Sequence, residues 1–295
     1  MAKVSGPLDG GTEARITWNA FGDGMALDCS NDDKRWKILH TKYTVVAIHR
    51  GGAEWRYRRR DIRVRPSEVF ICEPGEVHET IRTDCPGDFT AFFIDLEAIE
   101  AVAQACGLAH HPHFAAAGVP RMDLWQAFAQ LRGSLKHFDG EAFSERFAGA
   151  LTQLVYATQK GARRDRISRA VIKRTWDQLH EEFRTDPTRT VRIRDIAKAQ
   201  GVSYHSLIRE FSSQFSIAPY EMVKALRAQY AMDQLRCGPG EDCTSLTALA
   251  AKCGYSDHAH LTRSFRQHWG VTPSALARNV NPSWLQRPPR KSRDT

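Results

Sequence analysis

The second half of the chain repeats one pattern of apolar, glycine and serine positions. Residues 196–219 align with residues 249–273, and the second copy carries one extra residue. A pattern that recurs after 53 or 54 residues indicates two copies of one structural unit. The matched pairs are Ile196/Leu249, Ala197/Ala250, Gly201/Gly254, Ser203/Ser256, Leu207/Leu261, Arg209/Arg263, Phe211/Phe265, Phe215/Trp269 and Pro219/Pro273.

Each copy predicts two short helices joined by a tight turn. In the first copy, a helix ends at Gly201, which can take the left-handed conformation that often follows a helix. Ser203 is then predicted as the N-cap of a second helix, along which apolar residues recur every four positions. The second copy has Gly254 at the turn and Ser256 at the helix start. The pattern predicts helix-turn-helix motifs over about 193–215 and 246–269.

A longer helix is predicted between the two copies. Residues 220–235 contain no helix breaker, and their apolar positions form a stripe. A helix of this length spans about 24 Å and would hold the two motifs at a fixed separation. The stripe consists of Met222, Leu226, Tyr230 and Leu235.

The first half of the chain favours strands between residues 43 and 95. The runs YTVVAIH, VFIC and FTAFFID are short and apolar, and Gly and Pro residues separate them. Such a series predicts a small barrel or sandwich. Two helical patterns follow, with faces that either pack on the barrel or form a dimer interface. These faces are Leu124, Phe128, Leu131 and Leu135, then Phe143, Phe147, Leu151 and Leu154.

Charge separates the two halves. Residues 1–161 carry a net charge of −2 and residues 162–295 a net charge of +10, within a total of +8. We therefore expect only the second half to face a polyanion. No apolar run of about 18 residues predicts a membrane span, and the N-terminus lacks the apolar core of a secretory signal. The seven cysteines then indicate reduced thiols, which favours a cytoplasmic protein.

The run KCGYSDHAHLTRSFRQHWG raises the question of a metal site, because Cys and His are zinc ligands. It contains Cys253, His258, His260 and His268. The first copy of the repeat has glutamines opposite Cys253 and His268, so the candidate ligands are not part of the repeated pattern. We expect the polar residues of the second helices to face DNA, whose base edges and phosphates they suit. No metal and no cofactor are predicted.

Residues 169–280 resemble the DNA-binding domain of AraC/XylS-type transcription regulators. The resemblance rests on the paired motifs, the P-Y-x5-LR pattern over 219–227 and the closing GYSDHAHLTRSFRQHWGVTPSALAR. It implies that the second helix of each motif enters successive major-groove segments of double-stranded DNA. Ile208 and Ala259 depart from the polar residues often found there. The DNA-binding residues so expected are Ser203, His205, Ile208, Arg209, Ser256, His258, Ala259, His260, Arg263 and Arg266, the last on phosphate.

Residues 43–82 resemble the cupin-like sensor domain of sugar-responsive AraC-type proteins. The spacing from Arg50-Gly51 to Pro74-Gly75-Glu76-Val77-His78 carries this resemblance, and the ligand class does not transfer with it. It implies a small-molecule pocket inside the barrel. The ligand-binding residues so expected are Arg50, His78, Thr80, Thr90 and Phe92.

Two alternatives remain beside a ligand-responsive regulator. The barrel of a constitutive DNA-binding protein could serve only to dimerise. A metal-dependent cupin enzyme would need further His ligands before His78, yet residues 51–73 contain none. We therefore expect no enzymatic activity.

These observations together predict an α+β protein. A cupin-like β-barrel with a helical pair precedes an all-α domain, whose two helix-turn-helix motifs are joined by a long helix. The resemblance implies an activator of a small-molecule operon that binds an effector, promoter DNA and RNA polymerase and forms a homodimer away from membranes. The predicted segments are 1–118 for the sensor domain, 119–160 for dimerisation, 161–168 for a linker, 169–280 for DNA binding and 281–295 for a disordered tail.

Overall fold

The computed structural model of the chain forms two compact units. One, the sheet unit, comes largely from the first half of the chain; the other, the helical unit, comes largely from residues after 169. The linker and tail predicted from the sequence lie outside the described residues. Those residues are 4–5, 14–21, 24–58, 60–108, 114, 118–119, 122–135, 140–158, 170–238, 243 and 245–280.

The sheet unit is one antiparallel sheet in the order β1-β2-β3-β8-β5-β7-β9, with β4 paired to β8 and β6 to β5. The two longest strands, β5 and β8, pair with each other and each also pairs with further strands. The strands are β1 Val4–Ser5, β2 Arg15–Phe21, β3 Gly24–Asp32, β4 Lys37–His40, β5 Tyr43–Tyr57, β6 Arg60–Val64, β7 Val69–Cys72, β8 Glu76–Ile94 and β9 Gly118–Val119.

Three helices complete the sheet unit: α1 Leu96–Ala105, α2 Met122–Ser134 and α3 Gly140–Thr158. Both apolar faces recognised in the sequence are buried in the core of this unit, together with Val45, Phe92 and their neighbours on the sheet. Each buried Leu or Phe contributes about 1.5–3 kcal/mol relative to an exposed one. These faces are therefore occupied within the chain, and of the two roles expected for them, packing on the sheet is the one observed.

The helical unit contains seven described helices. Among all the helices described for the chain, none is long and apolar enough to cross a membrane. The two motifs are formed by α5 with α6 and by α8 with α9. The helices are α4 Ala170–Thr185, α5 Ile193–Ala199, α6 Tyr204–Phe215, α7 Pro219–Cys237, α8 Leu246–Lys252, α9 His258–Trp269 and α10 Pro273–Val280.

The connecting helix α7 is buried on most of its sides, where the sequence predicted a single apolar stripe. Val223 and Met232 lie outside that stripe and are buried as well. Other helices pack around α7: the indole of Trp269 donates to the carbonyl of Ala228 at 3.0 Å, and α4 packs Phe183 edge-on against Tyr230. Helix α7 is therefore the core of the unit as well as a spacer.

The two motifs begin their second helices differently. Ser203 caps α6 as predicted, because its Oγ accepts from the amide of Ser206 at 3.1 Å. Asp257 and not Ser256 caps α9, since its carboxylate accepts from the amide of His260 at 2.7 Å. The extra residue of the second copy thus lies before the cap and moves the helix start one position later.

The two turn glycines allow a matched stability test. Both have positive φ, +68° at Gly201 and +74° at Gly254, where an L-residue costs roughly 1–2 kcal/mol. A Cβ at Gly254 would also lie 2.6 Å from the carbonyl oxygen of Pro187, whereas one at Gly201 would meet nothing within 4 Å. We expect Gly254→Ala to lower the free energy of unfolding by at least about 1 kcal/mol more than Gly201→Ala. Urea unfolding of both variants measures this, and equal losses would show that the turn relaxes freely.

Candidate functional site

A cavity in the form of a cleft that opens to solvent lies in the sheet unit, and its space of about 700 Å³ includes the open region at its mouth. The surface that its wall exposes is mainly apolar and comes largely from β3, β4, β5 and β8, although nine of the lining residues are polar or charged. Such a surface suits a small molecule that is largely apolar and is oriented by a few hydrogen bonds. The buried apolar wall includes Val46, Ile48, Trp55, Ala91 and Phe93.

His78 and Thr80 line this cavity, as the resemblance implied, and both are buried. His78 Nδ1 lies 2.6 Å from His40 Nε2, and His40 Nδ1 lies 2.9 Å from the hydroxyl of Thr44. Burial lowers the pKa of His78 to about 4, so its ring is neutral at pH 7. His40 lies 38 residues before His78 and outside residues 51–73, where a cupin pattern would place further histidine ligands, so the sequence did not point to it.

Arg50 lies at the exposed rim of the cavity and not in its buried interior, where the resemblance implied it. It lines the mouth of the cavity, but its side chain is 59% exposed. Its guanidinium makes two hydrogen bonds of 3.0 Å to the carboxylate of Asp88. These bonds lower the pKa of Asp88, so the arginine already has an anionic partner.

Thr90 and Phe92 lie on the opposite face of β8 from the cavity, which is a second correction. The odd-numbered residues Ala91 and Phe93 face the cavity here, although Thr80 faces it further back along the strand. Side chains alternate along a strand, so one extra residue reverses the faces. The pairing of β5 with β8 contains such an extra residue. The neighbouring residues Glu54 and Trp55 pair with Arg82 and Thr80, so β8 has one residue more than β5 at this point.

Thr90 instead belongs to a polar network under helix α2. His49 Nε2 lies 2.9 Å from the Thr90 hydroxyl, which donates to Asp28 at 3.2 Å. Arg132 of α2 donates to the same Asp28 oxygen at 2.7 Å. Nearby, the indole of Trp125 in α2 donates to the carbonyl of Ile48 at 2.8 Å. Polar contacts therefore fix α2 to strands whose other face lines the cavity.

In the helical unit, α6 presents His205 and Arg209 outward on one face while Leu207 and Phe211 are buried. Ile208 is half-buried beside them. The predicted contact residues of this helix are thus accessible, except that the hydroxyl of Ser203 already caps the helix.

Helix α9 presents Ala259, Arg263 and Arg266 as exposed side chains. The first two histidines of this helix are less accessible to a partner than the arginines. His258 Nε2 is buried, and His260 Nδ1 lies 3.1 Å from the hydroxyl of Ser256.

Cys253 is fully buried. Among the described residues, the structure does not gather Cys253 and the neighbouring histidines into a set of metal donors.

Family models match parts of both units of the chain. A family model described as an AraC-like ligand binding domain matches residues 27–155, and one described as a helix-turn-helix domain matches residues 196–279. Together they cover more than half of the chain. No curated protein sequence matches it.

Solved structures share the fold. The crystal structure of ToxT from Vibrio cholerae O395 aligns with a TM-score of 0.51 at 12% identity, over 91% of this chain and 97% of that one. ToxT from strain SCE256 with a bound unsaturated fatty acid aligns with a TM-score of 0.51 at 11% identity, over 94% and 99%. At these identities the likeness concerns the fold alone.

The network under α2 predicts a loss of stability in acid. Burial, reinforced by the Arg132 charge, lowers the pKa of His49 to about 4, against about 6.5 in an unfolded chain. As pH falls through this interval the unfolded chain takes up a proton and the folded one does not, so the free energy of unfolding decreases. Between pH 7 and 5 this histidine should account for up to about 2 kcal/mol.

Urea unfolding at the two pH values tests this expectation. His49→Gln keeps a side chain able to bond Thr90 and should lose less stability in acid than wild type. His205→Gln, at an exposed histidine of α6, is the matched control and should behave as wild type. An unchanged acid loss in His49→Gln would contradict the prediction.

Proposed function

The chain belongs to the AraC family of DNA-binding transcription regulators, and from this membership we propose that it activates transcription in response to a small molecule. The sheet unit binds the effector and the helical unit reads promoter DNA. The active species is a cytoplasmic homodimer that contacts RNA polymerase. The observation that carries the proposal is the presence, in one chain, of an apolar cavity and of two helix-turn-helix motifs with exposed arginines.

The accessible faces of α6 and α9 support DNA reading. Each presents one arginine at the matched positions 209 and 263, and arginine forms bidentate hydrogen bonds with guanine in the major groove. Helix α7, with 19 residues, is about 28 Å long. That length is close to the roughly 34 Å between major-groove segments one turn apart. The net charge of +10 over residues 162–295 supplies attraction to phosphate.

The cavity supports an effector that is largely apolar. Hydrogen bonding from Thr80 and from the His40–His78 pair would orient it, while Trp55 and Phe93 contact its apolar body. The fatty acid bound by ToxT, a protein of the same fold, makes long-chain acids a reasonable first class to test. Arg50 at the mouth is engaged with Asp88, so it contributes to an acid only if that ion pair opens.

Dimerisation requires a surface other than the buried faces of α2 and α3. Tyr156 on α3 is 56% exposed and Met122 on α2 is 53% exposed. Large exposed apolar side chains are common anchors of interfaces. We propose that the outer side of this helical pair contributes the dimer contact.

The first functional prediction separates base-reading from phosphate-binding residues. Arg209→Ala and Arg263→Ala should each weaken binding to the specific site by about 1–3 kcal/mol and relax sequence choice locally. Arg266→Ala should weaken binding to all sequences and reduce the salt dependence. Lys173→Ala, at an exposed lysine of α4 paired with Asp177, is the control and should bind as wild type. Fluorescence anisotropy on specific and random duplexes gives all four values.

The assignment of Arg209 and Arg263 fails if both variants lose equal affinity for specific and random DNA. A loss for Lys173→Ala of the same size would show a general charge effect instead.

The second functional prediction concerns the cavity. Ala91→Phe fills it, and Thr80→Val removes a buried hydroxyl without changing the size of the side chain. Either change should reduce effector response at least about fivefold. Ala91→Phe occupies the space of the effector, and the loss of one hydrogen bond costs roughly 1 kcal/mol or more when its partner is left unsatisfied. DNA affinity without effector should stay within a few-fold of wild type. Arg56→Ala on the same sheet, where Arg56 pairs with Asp61 outside the cavity, should respond normally.

The measurement is a thermal-shift screen of long-chain acids, oleate included, and of apolar alcohols, followed by a promoter reporter titrated with each hit. Coupling of the size common in allosteric proteins would appear as roughly 5- to 150-fold activation. If no compound binds wild type, or if filling the cavity leaves the response intact, the barrel serves only to dimerise.

A further inference from the structure

Three soft donor side chains meet inside the sheet unit: His40 at the end of β4, Cys72 at the end of β7 and His78 on β8. They are 3%, 0% and 5% exposed. One ring nitrogen from each histidine and the sulfur of Cys72 all lie within 4.8 Å of one another. Within the described part of the chain, this is the one group of three His, Cys, Asp or Glu side chains that comes so close.

The strands hold these donors rigidly. His78 pairs with Ile38 in the β4–β8 ladder, two residues before His40. Cys72 pairs with Thr44 in the β5–β7 ladder, and Thr44 in turn contacts His40. Residues opposite each other in a ladder point to the same face. Three separate strands therefore fix the donor positions, as a precise metal site requires.

The hydrogen bonds around His40 indicate which of its ring nitrogens carries the proton. The Thr44 hydroxyl donates to the carbonyl of Lys42 at 3.3 Å, so its oxygen accepts from His40 Nδ1–H. His40 Nε2 consequently carries a lone pair, and it points at His78 Nδ1. A histidine whose outer N–H is held by a neighbour is the usual arrangement of a metal-binding imidazole.

We propose that His40, Cys72 and His78 bind one thiophilic d10 cation, Zn²⁺ or Cu⁺, in the wall of the effector cavity. Two imidazoles and one thiolate are a ligand set that both ions accept. Tetrahedral coordination needs donors about 3.4–3.6 Å apart. The two histidine nitrogens, which are 2.6 Å apart, would move away from each other, and the most distant pair of donor atoms would move closer together. Rotation of the side chains supplies these movements of about 1 Å.

Metal binding releases one proton from the site and moves another. The thiol proton of Cys72 leaves to solvent, and the Nδ1 proton of His78 moves to Nε2, so that three lone pairs face the ion. Three protein ligands leave one position of a tetrahedron open. Because His40 and His78 both line the cavity, that position faces the effector. This last step rests on the proposed function, whereas the metal site itself does not.

The test uses the full-length protein without a histidine tag. Protein is incubated with excess Zn²⁺, or anaerobically with Cu⁺, passed through a desalting column and analysed by elemental mass spectrometry. Co²⁺ is added in parallel, because a thiolate ligand gives it a near-ultraviolet charge-transfer band. Cys72→Ser and His40→Gln remove ligands. Cys29→Ser is the matched control, since Cys29 is an equally buried cysteine of the same sheet.

We expect about one equivalent of Zn²⁺ or Cu⁺ in wild type and in Cys29→Ser, with the charge-transfer band on Co²⁺. Cys72→Ser and His40→Gln should lose at least tenfold in affinity, and Cys72→Ser should lose the band.

The proposal is overturned if wild type retains less than a tenth of an equivalent, or if Cys72→Ser binds as well as wild type. If a ligand variant does not fold, the Co²⁺ band of wild type still decides. Effector binding and DNA affinity are measured separately, so an absent metal leaves the regulator proposal standing.

Discussion

The pairing of β5 with β8 is the constraint on which the sheet unit depends. These strands hold β3, β4, β6 and β7 at their sides, and their two faces separate an apolar cavity from the helices. An irregularity between Glu54 and Trp55 reverses the alternation along β8. As a result, one strand sends His78 and Thr80 into the cavity at one end, and Ala91 and Phe93 at the other. A barrel wall with strict alternation would place different residues there.

A comparable role belongs to α7 in the helical unit. It buries residues around most of its circumference, so both motifs share one core through it. The second motif is attached particularly closely, because Trp269 bonds to the backbone of α7 and Gly254 lies against Arg227. This arrangement makes the orientation of the second helix of each motif a property of the whole unit.

The sequence predicted the helical unit well, because the signals for its helices and turns lie close together in the chain and occur in both copies of the repeat. Glycine turns, caps and apolar faces repeat, and even the misplaced cap at Ser256 is off by one residue, at the point where the copies differ in length. The sheet unit was harder to predict. No local signal marks the bulge that turned Thr90 and Phe92 away from the cavity, and His40 lies 38 residues from the partner it touches. Arg50 has the predicted position in the chain, but its guanidinium is bound to Asp88 at the exposed rim of the cavity.

Ile48 shows how the sheet unit can act as a mechanical linkage. Its side chain is part of the cavity wall, while its carbonyl holds the indole of Trp125 on the far side of the sheet. A bound molecule that displaced this side chain would therefore also displace the carbonyl that holds helix α2, because both belong to the same residue. The indole of Trp125 is partly buried, and its contribution to the emission of the seven tryptophans would report on the hydrogen bond that its N–H makes.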